Sequence, residues 1–363
     1  MGIIQRSSRL VQRLTFIIAI LPLLLSGCIY STQVKKVPVE PPKNFNGAPG
    51  QGEAKDPSRW WRLFATPQLD KLVGQAFKHN TDLAVARARV EQSRASLTLA
   101  GAGWYPRVVA KGEVGYSQSS MQIPAVVPGM ESTKKDVTRE SYSLSLGVSY
   151  EVDLWGKVRY GHKAAKADLA ASRDDVAAAR ISIAAQLADA YFLAVELRAQ
   201  IKLLDRTIKN RESQLKMVKQ RYGEGMVTAL DVYQAQELLA RARAQRTTFV
   251  KRLRTTEHAV AVLAGQFPKL GVTGTLDSLP EQVKDVPAGL PAQLLLRRPD
   301  LRAAHARLTA ADARVGQAVA GHYPSLTLSA SIGASFDPTS LLWNLLAGLT
   351  APIFEGMRVK AQV

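Results

Sequence analysis

Ser141-Tyr142-Ser143-Leu144-Ser145-Leu146-Gly147-Val148-Ser149-Tyr150-Glu151-Val152-Asp153-Leu154 is the stretch on which the fold turns. Every even position is aromatic or aliphatic, and every odd position is serine, glycine or an acid. Period two over this length predicts a β-strand with one apolar and one polar face. Three further runs share the period. Val108, Ala110, Gly112, Val114 and Tyr116 alternate with polar residues such as Arg107, Lys111, Glu113 and Ser117. Leu326, Leu328, Ala330, Ile332, Ala334 and Phe336 alternate with Thr327, Ser329, Ser331, Gly333 and Ser335. A less regular run spans 341–353, with Leu341, Trp343, Leu345, Ala347, Leu349, Ala351 and Ile353 in phase. Four such strands fit either a half-buried sheet of a sandwich or a transmembrane barrel, apolar toward lipid and polar toward a wet lumen. Their predicted length suits the ~9–11 residues needed to cross a bilayer. Glu151 and Asp153 fall two apart on one strand face, where they resemble a carboxylate pair and equally suit a wet wall.

Between the strand pairs the period changes. Residues 66–101 read as helix. From Lys157 to Tyr222 there is no proline, and Gly161 is the only glycine. That predicts a helix of roughly 100 Å. Apolar residues recur by sevens at Leu187, Ala194, Ile201, Ile208, Leu215 and Tyr222. A second row runs Ile183, Ala190, Leu197, Leu204 and Val218, interrupted by Arg211. After Gly223-Glu224-Gly225 a second helix, about 228–264, carries Val232, Leu239, Arg246, Leu253 and Val260 beside Ala235, Ala242, Phe249, Thr256 and Leu263. Paired heptad rows predict an antiparallel coiled-coil hairpin. Thr228 and Asp231 stand where an N-cap and a first-turn acid belong.

The N-terminus reads as an export address. Arg6, Arg9 and Arg13 precede the apolar run 16–25, which is too short to span a bilayer and has the length of a signal h-region. Leu25-Ser26-Gly27-Cys28 follows and resembles a bacterial lipobox. The resemblance implies cleavage between Gly27 and Cys28, with a diacylglycerol and an acyl chain placed on Cys28. The alternative is an ordinary cleavage site beside a free thiol. Ile29 occupies the position where an inner-membrane retention signal would resemble Asp, which points to the outer membrane. Residues 29–58 hold five prolines and read as a tether.

The chain repeats itself. Asn80-Thr81-Asp82-Leu83 matches Arg298-Pro299-Asp300-Leu301, and Tyr105-Pro106 matches Tyr323-Pro324, both 218 residues apart. Pro106 and Pro324 mark helix-to-strand junctions, since proline ends a helix and suits the start of a strand. Leu154-Trp155-Gly156-Lys157-Val158-Arg159 resembles Ile353-Phe354-Glu355-Gly356-Met357-Arg358, where the offset drops to 199. The resulting division is a signal peptide (1–27), a lipidated tether (28–66), a first repeat of helix, two strands and hairpin (67–281), and an incomplete second repeat of helix and two strands (282–363). Five residues follow Arg358. A second hairpin, on the order of 100 residues, is therefore expected beyond them.

Composition narrows the function. The 363 residues carry 48 Lys and Arg against 30 Asp and Glu, a net +18. The basic residues alternate with acids around the helices, and export removes the chain from nucleic acid, so no nucleic-acid partner is expected. One cysteine excludes a disulfide framework and a cysteine-based zinc site within the chain. The sequence shows no P-loop, zinc-protease or nucleophile-elbow pattern, so neither enzyme activity, metal nor cofactor is expected. No run of 18 apolar residues follows the N-terminus, against a helical transporter.

The order of these elements resembles the TolC-like outer membrane efflux proteins, and most closely their lipidated NodT/OprM-type subgroup. Trp60-Trp61-x-x-Phe64-x-x-Pro67-x-Leu69, Asn80 and both Tyr-Pro junctions carry the resemblance. So do Arg221-Tyr222-x-x-Gly225-x-x-Thr228-x-x-Asp231-Val232 and Arg297-Arg298-Pro299-Asp300-Leu301. Four strands cannot close a barrel whose minimum is ~8, and open edges in lipid leave backbone groups unpaired. The family implies an α+β membrane fold, with a long helical coiled-coil hairpin and four transmembrane strands per chain, assembled as a homotrimeric channel-tunnel. It implies a passive exit duct for drugs or other small molecules, lipid-anchored in the cell outer membrane and extending into the periplasm. Its partners would be a periplasmic adaptor (membrane fusion) protein and an inner-membrane pump of the resistance-nodulation-division type. Arg221, Tyr222, Gly223, Gly225 and Thr228 would belong to the periplasmic tip that meets the adaptor, with Gly223 and Gly225 permitting a turn and close approach. Asp231 matches an acidic gate position, and equally suits a simple helix-start role. A type I secretion duct and a non-channel coiled-coil envelope lipoprotein are the competing assignments.

Overall fold

The computed structural model describes residues 57–123, 133–274, 297–336, 339–354, 356, 357 and 361. The signal peptide, Gly27, Cys28 and the 281/282 boundary lie outside the described residues.

The helices are α1 (Pro67–His79), α2 (Thr81–Ala102), α3 (Lys157–Gly223), α4 (Ala229–Leu263) and α5 (Pro299–Ala320). The strands are β1 (Arg107–Ile123), β2 (Thr133–Val152), β3 (Ser325–Phe336) and β4 (Thr339–Thr350). A short 3-10 helix, Pro57–Phe64, precedes α1, at the end of the stretch read as tether. The repeat is visible in the element bounds. Helices α2 and α5 are both 22 residues long, and their first residues are 218 apart, as are their last. Strands β1 and β3 also begin 218 apart.

One compact unit comprises Ser93–Leu169 and Ala306–Val363. It holds a four-stranded antiparallel sheet in the order β1-β2-β3-β4. The register aligns all four alternating patterns. Ala110 lies opposite Leu146, Leu146 opposite Ile332, and Ile332 opposite Trp343. Across the other face run Lys111, Ser145, Gly333 and Leu342. One face is therefore apolar from edge to edge. Val114, Leu144, Ile332 and Trp343 on it are 77, 58, 48 and 76% exposed, so this chain leaves the face uncovered. Leu342 and Leu346 are exceptions, standing among the hydroxyls of the polar face. Below the sheet, glycines admit close helix packing. A Cβ at Gly316 would meet the Tyr160 ring at 2.8 Å, and one at Gly161 would meet the Gln317 amide at 3.0 Å.

The second unit includes Pro38–Gln92 and Ala170–His305. Its core joins Trp61 of the 3-10 helix, Leu69, Leu72, Val73 and Ala76 of α1, and Leu83 of α2. Against them lie Ile183, Leu187, Tyr191 and Val195 of α3, with Val260 and Ala261 of α4. Farther along the pair, the heptad rows form the seam as expected. Ile201, Leu204, Ile208, Leu215 and Val218 are half-buried, and Arg211 holds its place in the row. All ten α4 positions of the two predicted rows are buried or half-buried. Arg243 pairs with Glu212 and Arg246 with Asp205, which sets the two helices antiparallel.

Three expectations are corrected. The helix read over 66–101 is two helices, interrupted at Asn80, whose ψ of 132° is extended. Strands β1 and β2 run 17 and 20 residues, well beyond the alternating stretches, while β4 ends at Thr350. Asp153 lies past the end of β2, so it forms no strand-face pair with Glu151. Helix α3 also contains an 18-residue window with a mean hydropathy of 1.3, apolar enough to pass for a membrane span. Its fully buried Leu187, Tyr191 and Val195 instead pack in the protein core, and burial there raises the Tyr191 hydroxyl pKa.

Candidate channel wall, junctions and periplasmic tip

The residues singled out from sequence collect at the hairpin tip and at the helix–strand junctions.

At the tip, α3 ends in a reciprocal pair of backbone bonds. The Met226 N–H donates to the Arg221 carbonyl and the Gly225 N–H to the Tyr222 carbonyl, both at 3.0 Å. That closure needs a left-handed residue, and Gly225 supplies it with φ +71°. Gly223 does not share the requirement. It closes α3 without a positive φ, and a Cβ there would meet nothing within 4 Å. Among the described residues nothing approaches Gly223 closely, so the turn itself rests on Gly225.

Helix α4 then opens with a capping box. The Asp231 N–H donates to Thr228 Oγ1 (3.4 Å), and the Thr228 N–H donates back to Asp231 Oδ2 (2.7 Å). The Thr228 hydroxyl donates to the same oxygen at 2.6 Å. These bonds, the hydroxyl's first and the backbone's second, hold the Asp231 carboxyl below its usual pKa. Asp231 thus has a defined job within one chain. Around it Tyr222, Met226, Leu230 and Tyr233 are at least half exposed, an apolar surface at the tip.

The two junctions share a design and differ in their partners. Each helix ends in a turn whose amides bond back three residues, Tyr105 to Ala102 and Tyr323 to Ala320. Pro106 and Pro324 then stand one residue before β1 and β3, as expected. At the second junction Trp155 stacks on Tyr323, with centroids 4.8 Å apart and planes inclined by 25°. Its Nε1–H donates to the Pro324 carbonyl at 2.7 Å. Gly156 turns the chain with φ +80°, and Asp153 caps α3 by accepting from the Val158 and Arg159 amides, each at 3.0 Å. Glu151 pairs with Lys157 at 2.9 Å. Both acids therefore serve the strand-to-helix junction.

Three features had no forecast role. Asn80 Oδ1 accepts from the Asp82 and Leu83 amides, capping α2, while its Nδ2 donates to the Leu263 carbonyl at the end of α4. Glu257, on the buried side of α4, accepts from Arg198 of α3 (3.2 Å), the Thr273 hydroxyl (3.2 Å) and the Gly271 N–H (3.1 Å). Gly265, with φ +73°, lets α4 end so close to α1 that a Cβ would lie 2.4 Å from the His79 carbonyl oxygen. Among the described residues no cluster of His, Cys, Asp and Glu could hold a metal ion.

The family described as "Outer membrane efflux protein" matches residues 72–266 and 290–363. The pyoverdine export outer membrane protein OpmQ of Pseudomonas aeruginosa is 34% identical over 322 residues, covering 87% of this chain and 67% of that protein. The cation efflux system protein CusC of Escherichia coli is 27% identical over 352 residues, covering 94% and 74%. Among solved structures, the outer-membrane channel OprN superimposes with a TM-score of 0.77 at 28% identity, covering 93% of this chain and 75% of that one. The open state of the MtrE outer membrane channel of Neisseria gonorrhoeae gives 0.73 at 27% identity, covering 92% and 75%.

Proposed function

We propose, from the premise that this chain belongs to the outer membrane efflux protein family, that three copies of it close a barrel of about twelve strands as a lipid-anchored exit duct. The observation that carries this reading is the sheet itself. It has one uncovered apolar face, one hydroxyl-rich face, and open edges at β1 and β4. In a bilayer the apolar face meets lipid at no cost, whereas an unpaired edge would cost several kcal/mol per backbone group. Pairing β4 of each copy with β1 of the next removes every edge.

The wet wall suits passive passage. Serine, threonine and glycine dominate it, and Lys111 and Glu113 on it neutralise each other at 3.0 Å. Such a wall offers a solute few places to bind tightly. The solute is a drug or other small molecule, as with the relatives named for export of pyoverdine and cations. The energy comes from an inner-membrane pump of the resistance-nodulation-division type, through a periplasmic adaptor. The apolar tip around Tyr222 and Met226 is the surface offered to that adaptor. Acyl chains on Cys28 fix the assembly in the outer membrane, each buried methylene contributing about 0.8 kcal/mol. Asp231 takes part in closing the tip through partners on other hairpins.

The test is the full-length native protein in lipid. A heat-dissociable trimer with single-channel conductance is expected. A monomer without conductance would assign the chain to non-channel envelope lipoproteins instead.

A further inference from the structure

The internal repeat makes a statement about the joint between copies. Within the chain, the two repeats meet where β2 pairs with β3. At that joint Tyr150 lies opposite Leu328, and Trp155 stacks on Tyr323. The repeat offsets carry each of these residues to a second place. Tyr323 corresponds to Tyr105 and Leu328 to Ala110, each 218 earlier. Trp155 corresponds to Phe354 and Tyr150 to Leu349, each 199 later. The corresponding residues lie at the two open edges. Tyr105 is 73% exposed and Phe354 is 89% exposed, and neither ring has an aromatic partner among the described residues.

We propose that the joint between copies repeats the joint inside the chain. Phe354 of one copy stacks on Tyr105 of the partner subunit, and β4 pairs antiparallel with the neighbouring β1 so that Leu349 lies opposite Ala110 of the partner subunit. This inference rests on the trimeric reading above and specifies its contact. Face parity supports the register independently. Leu349 and Ala110 both belong to the apolar face. A slip of one residue would set Ala110 against Gly348 or Thr350 and turn one copy's apolar face into the lumen. A closed ring built this way alternates quasi-equivalent joints, half within chains and half between them.

The two joints differ in one bond. Trp155 donates its indole N–H to the Pro324 carbonyl, whereas Phe354 has no donor for the corresponding carbonyl of Pro106. The joint between copies is thus the less firmly held, and F354W would supply the missing bond.

The experiment uses the full-length protein in outer membranes, with Cys28, the one cysteine of these 363 residues, acylated and any cysteine beyond them replaced by serine. Under mild oxidation A110C/L349C is expected to link chains into covalent dimers and trimers. The control A110C/L345C, displaced by about 13 Å along the strand, should give about tenfold less. In the protein without these cysteines, F354W should raise the temperature at which the oligomer dissociates, and F354A should lower it. The proposal is overturned if the oligomer forms but A110C/L349C links no better than A110C/L345C. It is equally overturned if F354W and F354A both leave the dissociation temperature unchanged. Absence of any oligomer in the unsubstituted protein would remove the trimeric reading itself, which separates the two failures.

Discussion

Replacing Glu257 with alanine should loosen the segment that follows α4. The carboxylate is 7% exposed and accepts three hydrogen bonds, from Arg198, Thr273 and Gly271. Alanine would leave a guanidinium, an amide and a hydroxyl without that acceptor. Removing one partner of a buried ion pair costs about 3–5 kcal/mol. Arg198 retains 15% exposure, so water can reach its charge in part, and the lower end applies. A cost of about 3 kcal/mol corresponds to roughly a hundredfold shift in a local opening equilibrium. Amide hydrogen exchange is the suitable assay, because it resolves the segment around Gly271 from the rest of a large assembly. In the native protein the Gly271 amide, though in a turn, should exchange slowly. In E257A it should exchange about a hundredfold faster, while amides in the α3–α4 seam near Leu215 and Leu239 keep their rates. Glu257→Gln should fall between, since the amide keeps one acceptor oxygen but turns a donor toward other donors. The double variant R198M/E257L, which removes both charges and fills the volume, should recover much of the loss. Unchanged exchange at Gly271 in E257A, within about threefold, would refute the claim that this network holds the segment.

Other outcomes follow from single observations. G225A should destabilise the tip by about 1–2 kcal/mol through its left-handed backbone alone, whereas G223A should be nearly neutral, as thermal unfolding of the two variants would reveal. Asp70 accepts from the Arg62 guanidinium and the Trp61 indole, and these bonds, Arg62's first, hold its carboxyl below the usual value of 3.8. Its contribution is present above that value and is lost as pH falls through the lower folded value, so Trp61 fluorescence should change only in strong acid, and D70N should abolish the transition. The same sign holds for Asp231, so the Thr228 amide should lose protection below the unfolded carboxylate range, and T228A should lose it at every pH.

The periods of the sequence carried most of the architecture, because burial imposes them. The seam positions of α3 and α4 were legible even at Arg211, since its neighbours by sevens set the phase. The repeat was legible to the residue, because α2 and α5 retained their length. What stayed hidden had no periodic trace. The break at Asn80 is one extended residue between two helical patterns of similar composition, and only its contacts with Leu83 and Leu263 reveal it as a joint. The length of β1 beyond Ser117 was hidden for a different reason. Gln118-Ser119-Ser120-Met121 pairs backbone with β2 while neither face is predominantly apolar, so no alternation marks it. Glu257 stood one residue from the predicted row at Thr256, and a buried acid reads in sequence as a surface one until its partners are seen. At the tip, sequence alone left Asp231 between gate and cap. The structure shows the cap.

The first two strands outrun the other two. Strand β3 meets β2 only from Ser143 to Val152, and in the register proposed above the β4 of a neighbouring copy reaches β1 only as far as Ser120, so from Met121 to Ile123 and from Thr133 to Lys135 the hairpin is a two-stranded ribbon. It projects from the end of the sheet away from the helices, and each of its strands has a single neighbour there. In the proposed duct, residues of the paired wall would answer to lipid on one side, solute on the other and a strand on each flank. Those in the ribbon answer only to each other. Selection can therefore rewrite the ribbon, lengthen it or shorten it without disturbing the wall. In the exit duct proposed here it is the part of the molecule that faces the outside world, where antibodies and phage would find it and where the chain is freest to change in order to escape them.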